Sequence, residues 1–309
     1  MKKKHYLDNI DVSILGFGAW PLGNTAHGKT MTFEEGVSLV IDAVNKGINF
    51  FDTAPNYSNG KSEMILGEAL QGIRDSVVIN TKFGHHPDGT IDFSETAILP
   101  SIEGSLKRLK THYIDSVILH NPGFDVLLGK TRHFEILQSL KTKKIIKGFG
   151  VSIDSKSELE AVLTHQNVDV IELLFNVFSQ STRALLCKVK ENNIALIIKV
   201  PLDSGWLTGK YTKDSTFSDI RSRWSTTDLA RRHDLVQSLK TIVNDDNLTP
   251  YAMNFLWSYN SITTVIPGIR TTAQLNQHIG STTFDFDCNL KEKFEHFYDT
   301  KIAKEPLPW

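Results

Sequence analysis

Four residues have side chains that can move a proton or hold one in place: Asp52, Lys82 and His120 stand at the ends of successive apolar runs, and Tyr57 lies five residues past Asp52 in the loop that follows. Together a carboxylate, a phenol, an ammonium and an imidazole make an acid–base set. A phenol donates sluggishly at its reference pKa of about 10, and a nearby ammonium favours the phenolate. An ammonium in a partly dry site tends to lose its own proton, so Asp52 would serve to keep Lys82 charged and oriented. His120 would hydrogen-bond and order an oxygen at the same place. Each residue also has a plainer reading. Asp52 and Asn56 suit a turn around Pro55, Lys82 a surface ion pair, and His120-Asn121-Pro122 a strand-ending turn. Their joint occurrence at strand ends favours the chemical one.

The elements that must position these groups repeat along the chain. Short β-branched apolar runs alternate with amphipathic stretches, the pattern of βα units around a parallel sheet. The runs are Ile14–Gly18, Ile48–Asp52, Val77–Lys82, Asp115–His120, Ile146–Val151, Val168–Leu173, Ile194–Lys199 and Thr263–Pro267. Several are continuously apolar, as strands covered on both faces should be. Between the first two, Phe33, Val37, Val40, Ile41 and Val44 share a helical face, opened by a Thr32-to-Glu35 capping box and closed by Gly47. A second box, Ser155 to Glu158, precedes the face of Leu159, Val162 and Leu163. Eight units without a long linker predict a single domain over 1–309, a (β/α)8 barrel whose active site lies at the C-terminal face. The first twelve residues, with Asp8-Asn9 between extended pieces, predict a hairpin plugging the barrel bottom. The long loops belong to the C-terminal face; the longest irregular stretch, Asp203 to Thr227, directly follows strand seven.

Composition narrows the partners. The 309 residues are 40% apolar and 22% charged, with a formal charge of −1. Such a chain has no long-range field to gather nucleic acid or an anionic membrane, and a small molecule is the expected partner. Cys187 and Cys288 form no CxxC pair, which points away from a zinc site or a disulfide framework and toward a reducing cytoplasm. The pair His85-His86 lacks carboxylate or cysteine partners at ligand spacing, and no metal is expected. The lysines after Met1 lead into His5-Tyr6-Leu7-Asp8-Asn9 rather than the apolar run of a signal peptide, and no stretch is long and apolar enough for a membrane span.

With these motifs in order, the sequence resembles the aldo-keto reductase family across nearly its whole length. The resemblance is carried by Phe51-Asp52-Thr53-Ala54-Pro55-Asn56-Tyr57, Thr81-Lys82-Phe83-Gly84, Leu119-His120-Asn121-Pro122 and Gly148-Phe149-Gly150-Val151-Ser152. Pro201-Leu202-Asp203-Ser204-Gly205-Trp206-Leu207-Thr208-Gly209-Lys210-Tyr211 and Ile266-Pro267-Gly268-Ile269-Arg270 continue it. It implies hydride transfer between NADP(H) and a carbonyl, with Tyr57 as proton donor and Asp52, Lys82 and His120 around it. No GxGxxG fingerprint follows a strand, which argues against a doubly wound dinucleotide fold.

The resemblance also assigns cofactor residues: Gly18, Ala19, Ser152, Glu172, a Phe175 platform for the nicotinamide, and Pro201, Leu202, Ser204, Gly205, Leu207, Gly209 and Lys210 along the pyrophosphate loop. Gly268, Arg270, Gln274 and His278 would meet the adenosine end, with Arg270 against a 2′-phosphate. Trp20 would line the substrate pocket, and His85, close after Lys82 in the sequence, could face it as well. Three positions depart from the family pattern. Ile153 replaces a frequent asparagine, Glu172 a common glutamine, and His278 an asparagine near the adenine. An acid at 172 accepts from a carboxamide NH2 but donates only when protonated.

Rival readings stay open at this point. Lys199 ends strand seven, where a desolvated lysine could form a Schiff base in a lyase. A cofactor-binding regulatory subunit is another, as the family includes channel-associated members. Within the enzyme reading the same four residues run aldose oxidation as well as carbonyl reduction, and the loop after strand seven suggests a sugar or small aldehyde. Oligomeric state is not readable. Arg221, Arg223, Arg231 and Arg232 are expected to be solvated, and Pro306-Leu307-Pro308-Trp309 could fold back toward the mouth.

Overall fold

The computed structural model describes residues 1–26, 29–217 and 220–308. Among these residues twelve strands follow in chain order: β1 Lys3–Leu7, β2 Ile10–Ser13, β3 Phe17–Gly18, β4 Thr25–Ala26, β5 Lys29–Thr30, β6 Phe50–Asp52, β7 Val78–Phe83, β8 Ile114–His120, β9 Ile146–Ile153, β10 Val170–Leu174, β11 Ala195–Lys199 and β12 Thr264–Val265. Eight of them form one parallel sheet in the order β12-β11-β10-β9-β8-β7-β6-β3. The two ends of that order meet. Leu15 bridges Val265 and Gly18 bridges Gly268, both parallel, and Gly16 N–H donates to the Val265 carbonyl at 2.9 Å. The sheet thus curls until its edge strands bond each other, which satisfies backbone groups that an open edge would leave bare.

Helices cover the outside because their apolar faces have only the sheet to bury against. Both expected capping boxes form, with Thr32 accepting from Glu35 N and Ser155 from Glu158 N. A third opens the helix Thr226–Val243, where Ser225 and Asp228 cap each other. The core is divided accordingly. Leu15, Phe51, Ile79, Val117, Val151 and Leu196 join the layer beneath the helices, while Phe50, Val78, Ile118, Val170 and Ile197 form a second cluster. Alternate residues of one strand serve the two clusters, the period of two expected for a sheet buried on both faces.

The hairpin β1–β2 belongs to that second cluster through Tyr6, Leu7 and Val12. The Tyr6 hydroxyl lies 2.6 Å from Ser116 Oγ on β8, so the hairpin closes the end of the sheet opposite His120. Close approach matters most between β9 and β10. A Cβ on Gly150 would stand 1.7 Å from the Val170 carbonyl oxygen. Gly150→Ala is therefore expected to destabilise the fold by about 3 kcal/mol or more, as forced overpacking of a rigid layer does. Urea denaturation measures this, and a midpoint unchanged from wild type would contradict the packing.

Candidate active site

The ends of β6, β7 and β8 are adjacent, and they bring the four sequence-predicted groups to one place. Lys82 on β7 is buried with its Nζ 2.5 Å from Asp52 Oδ1 on β6. It also donates to the Thr53 carbonyl at 3.2 Å. The same Nζ lies 5.5 Å from the centroid of the half-buried Tyr57 ring, which meets the His120 ring edge to face at 6.1 Å. His85 stacks on His120 at 4.4 Å, so the two histidine rings lie side by side.

Electrostatics differ by group. Desolvation raises the Tyr57 phenol above its ordinary value, with the Lys82 cation pulling against it. The phenol therefore keeps its proton: the sequence alone suggested that the ammonium would favour the phenolate, but burial outweighs it. Against its own desolvation, Lys82 is held charged by Asp52 and Glu172. Desolvation and the Lys82 charge keep His120 well below the usual imidazole range, so its ring is neutral. Its buried Nδ1 has no protein partner among the described residues.

Glu172 sits in this cluster. Its Oε2 lies 3.0 Å from Lys82 Nζ, and its Oε1 accepts from Ser152 Oγ at 3.1 Å. Ser152 in turn accepts from Lys199 at 2.8 Å. Lys199 is paired with Asp154 at 2.8 Å and donates to Asn121 at 3.0 Å.

Asn80 is a member that the sequence reading did not single out. It donates to Asp52 Oδ1 at 2.8 Å and accepts from Ser116 Oγ at 2.6 Å. The signal was available: Asn80 precedes Lys82 by two on the same strand, so both face one side.

The remaining predicted residues lie on several other elements, some exposed and some in the core. Gly18 ends β3 and Ala19 follows it, with Ala19 N–H bonded to the Asp52 carbonyl at 2.8 Å, and Trp20 is 41% exposed. In the loop after β11, Ser204 and Gly205 adopt left-handed backbone at φ 52° and 99° and are half-buried. Gly209 is also left-handed, and Lys210 is exposed. Pro201, Leu202 and Leu207 are buried, Leu207 completely. Phe175 is fully buried as well, 6.0 Å from Phe255 and edge-on to Tyr259, so its ring packs within the core.

At the other end, Gly268 is exposed and Gln274 accepts from Arg270 N–H at 2.8 Å. The Arg270 guanidinium donates to the Asn24 carbonyl at 2.7 Å and the Lys29 carbonyl at 2.5 Å. Carbonyls fix its position but leave its charge in place. His278 is buried with its Nδ1 unpartnered among the described residues, and desolvation pushes it down to about 4.

Arg232 departs from the solvated reading. It is completely buried, donates to Asp203 at 3.1 Å and to the Pro308 carbonyl at 2.6 Å, and stacks on Trp224 at 3.9 Å. It thereby ties the tail to the loop after β11. Trp309, and Ser218 and Asp219 within the long loop, lie outside the described residues.

A curled eight-stranded parallel sheet with an acid–base cluster at its C-terminal strand ends makes this a TIM-barrel-like α/β protein. The aldo/keto reductase family model matches residues 14–296, and the chain belongs to that family. It is 25% identical to the uncharacterized oxidoreductase YqkF of Bacillus subtilis over 90% of each chain. It is 28% identical to the NADH-specific methylglyoxal reductase of Escherichia coli, covering 67% of this chain and 68% of that one. Among solved structures, the holo form of aldo-keto reductase AKR11C1 from Bacillus halodurans superposes with a TM-score of 0.80 at 23% identity, over 96% of each chain. Among the described residues no helix is long and apolar enough to cross a membrane, and no three His, Cys, Asp or Glu residues are grouped to hold a metal ion.

Proposed function

We propose that this protein is an NADP(H)-linked reductase of an aldehyde or ketone, a sugar or small aldehyde by the character of its loops, with Tyr57 as the proton donor. One observation carries this: a protonated phenol stands beside an ammonium that two buried carboxylates keep charged. When bound, the nicotinamide would supply and accept hydride. The groups around the mouth fit such a cofactor. The left-handed turn at Ser204-Gly205 admits a phosphate close to the backbone, the fixed Arg270 cation suits a 2′-phosphate, and the unpartnered His120 Nδ1 leaves a buried ring nitrogen free.

The work of the chain's own residues follows. Tyr57 gives its proton to the substrate oxygen as negative charge develops there. Lys82 stabilises the phenolate left behind, and Asp52 keeps that ammonium protonated and aimed. Neutral His120, stacked on His85, orients the substrate oxygen by hydrogen bonding. Run backwards, the same groups oxidise an alcohol such as an aldose hydroxyl. The lyase reading loses ground because Lys199 already donates to Asp154, Asn121 and Ser152, and a hydrogen-bonded ammonium is a poor nucleophile. The regulatory reading gives no reason for an assembled proton donor.

Fluorescence titration followed by an absorbance screen of aldehydes, ketosugars and aldoses tests the activity. Binding of cofactor with no turnover across that panel would favour the regulatory subunit. Cofactor choice is tested separately. Arg270→Ala is expected to weaken NADPH binding by roughly ten- to 150-fold, the worth of one charge-assisted bond, and to leave NADH binding nearly unchanged. Equal dissociation constants for NADPH and NADH in the wild-type protein would refute the preference.

A further inference from the structure

Two buried carboxylates face a single buried ammonium at the mouth. Asp52 and Glu172 lie 2.5 Å and 3.0 Å from Lys82 Nζ, and all three side chains are almost inaccessible. The next cation outward, Lys199, is matched by its own carboxylate, Asp154. The inner cluster therefore has one acid too many for its cations. Burying an uncompensated charge is costly, and the acids answer by sharing a proton. Desolvation and the neighbouring Glu172 push Asp52 up, while the Lys82 and Lys199 cations, working against desolvation, hold Glu172 down. The shared proton belongs to the pair rather than to either residue.

We propose that Glu172 makes the mouth prefer the oxidised, cationic nicotinamide to the neutral reduced one. The inference rests on the hydride-transfer reading above and concerns which cofactor state the site favours. A ring that exchanges hydride with a carbon whose oxygen meets Tyr57 has to stand beside Tyr57, and Tyr57 stands beside Lys82. A positive ring arriving there supplies the missing cation. The shared carboxyl O–H then breaks, its electron pair stays on the carboxylate, and the proton leaves to solvent; no oxidant or reductant is consumed. The neutral reduced ring brings no such compensation and leaves the proton where it is.

Among the described residues, the other ionisable groups that interact with Glu172 are already committed. Lys82 and Asp52 come from β7 and β6, Lys199 from β11 through Ser152, Tyr57 from the loop after β6, and Tyr6 from the hairpin below. The two phenols are both raised by burial, so neither ionises in the range where the acid pair does. Affinity for oxidised cofactor should accordingly rise with pH as the pair loses its proton, while affinity for reduced cofactor stays level.

The test is binding, not turnover. Dissociation constants for oxidised and reduced cofactor are measured by fluorescence and calorimetry on wild type, Glu172→Gln and Glu172→Asp. The ratio of oxidised to reduced dissociation constants should increase about tenfold in Glu172→Gln, the scale of one partly screened charge in a protein interior. Glu172→Asp, which keeps the charge, should stay near wild type. Calorimetry in buffers of different ionisation enthalpy should show proton release when wild type binds the oxidised form and little in Glu172→Gln. If both forms bind and the Glu172→Gln ratio stays within twofold of wild type, or if both forms release equal protons, this inference is overturned and the hydride-transfer reading stands. If neither form binds the wild-type protein, both fall together.

Discussion

Tyr57→Phe is expected to lower kcat/KM for carbonyl reduction by about 10²- to 10⁴-fold, the usual contribution of a positioned general acid, with cofactor dissociation constants within about twofold of wild type. The substitution removes one oxygen. The ring itself keeps its edge-to-face contact with His120 and its place beside Lys82, so the pocket retains its shape. The loss should fall on kcat as well as kcat/KM, because the proton is required only as the alkoxide forms. Desolvation holds the Tyr57 phenol above its ordinary value, so in the wild-type protein the donor should stay protonated through the neutral range. A decline of activity on the alkaline side below pH 9 would then have to come from another group. Steady-state kinetics on one aldehyde, paired with fluorescence titration, decides the matter. Near-normal turnover by the phenylalanine variant would remove Tyr57 from the mechanism, whatever its neighbours.

The fold was legible because its signals are local and repeated. Buried strands on both sides of a closed sheet read as apolar runs, and β8 and β10 are buried along nearly their whole length, as those runs require. The capping boxes at Thr32 and Ser155 were readable for the same reason: three residues of spacing define them. The convergence of the ends of β6, β7 and β8 was legible once the strands were in order, since adjacent strands put Asp52, Lys82 and His120 side by side. What was not legible depends on pairings between distant residues. Nothing in sequence spacing tells Glu172 that its partner is Lys82 on β7, three strands away around the sheet, rather than a ligand above it. Arg232 looked like one solvated arginine among four until Asp203 and the Pro308 carbonyl enclosed it. Phe175, one residue past β10, lies fully within the core beside Phe255, a neighbour eighty positions on, and no local pattern announces that contact.

The pairing of Lys82 with two acids should also be visible in stability. Lys82→Met is expected to cost about 3–5 kcal/mol at pH 8, because it leaves buried carboxylates without a cation. Lost packing alone would cost less, since methionine fills most of the lysine stem. The deficit should depend on pH in a definite direction. Without the ammonium, the Asp52 and Glu172 carboxyls have folded pKa values raised above their unfolded ones. The folded variant then binds more protons than the unfolded chain above about pH 4, and its stability falls as pH rises through that window. The penalty is accordingly smallest near pH 5 and largest in alkali. Adding Glu172→Gln to Lys82→Met removes one of the stranded charges, so the double variant should be more stable than Lys82→Met alone by 1 kcal/mol or more, a coupling expected between groups in direct contact. Urea unfolding of the wild type, both single variants and the double variant closes the cycle. Additive effects, or a Lys82→Met variant as stable at pH 8 as at pH 5, would mean that the acids find another cation, and that the charge excess assigned to the mouth is absent.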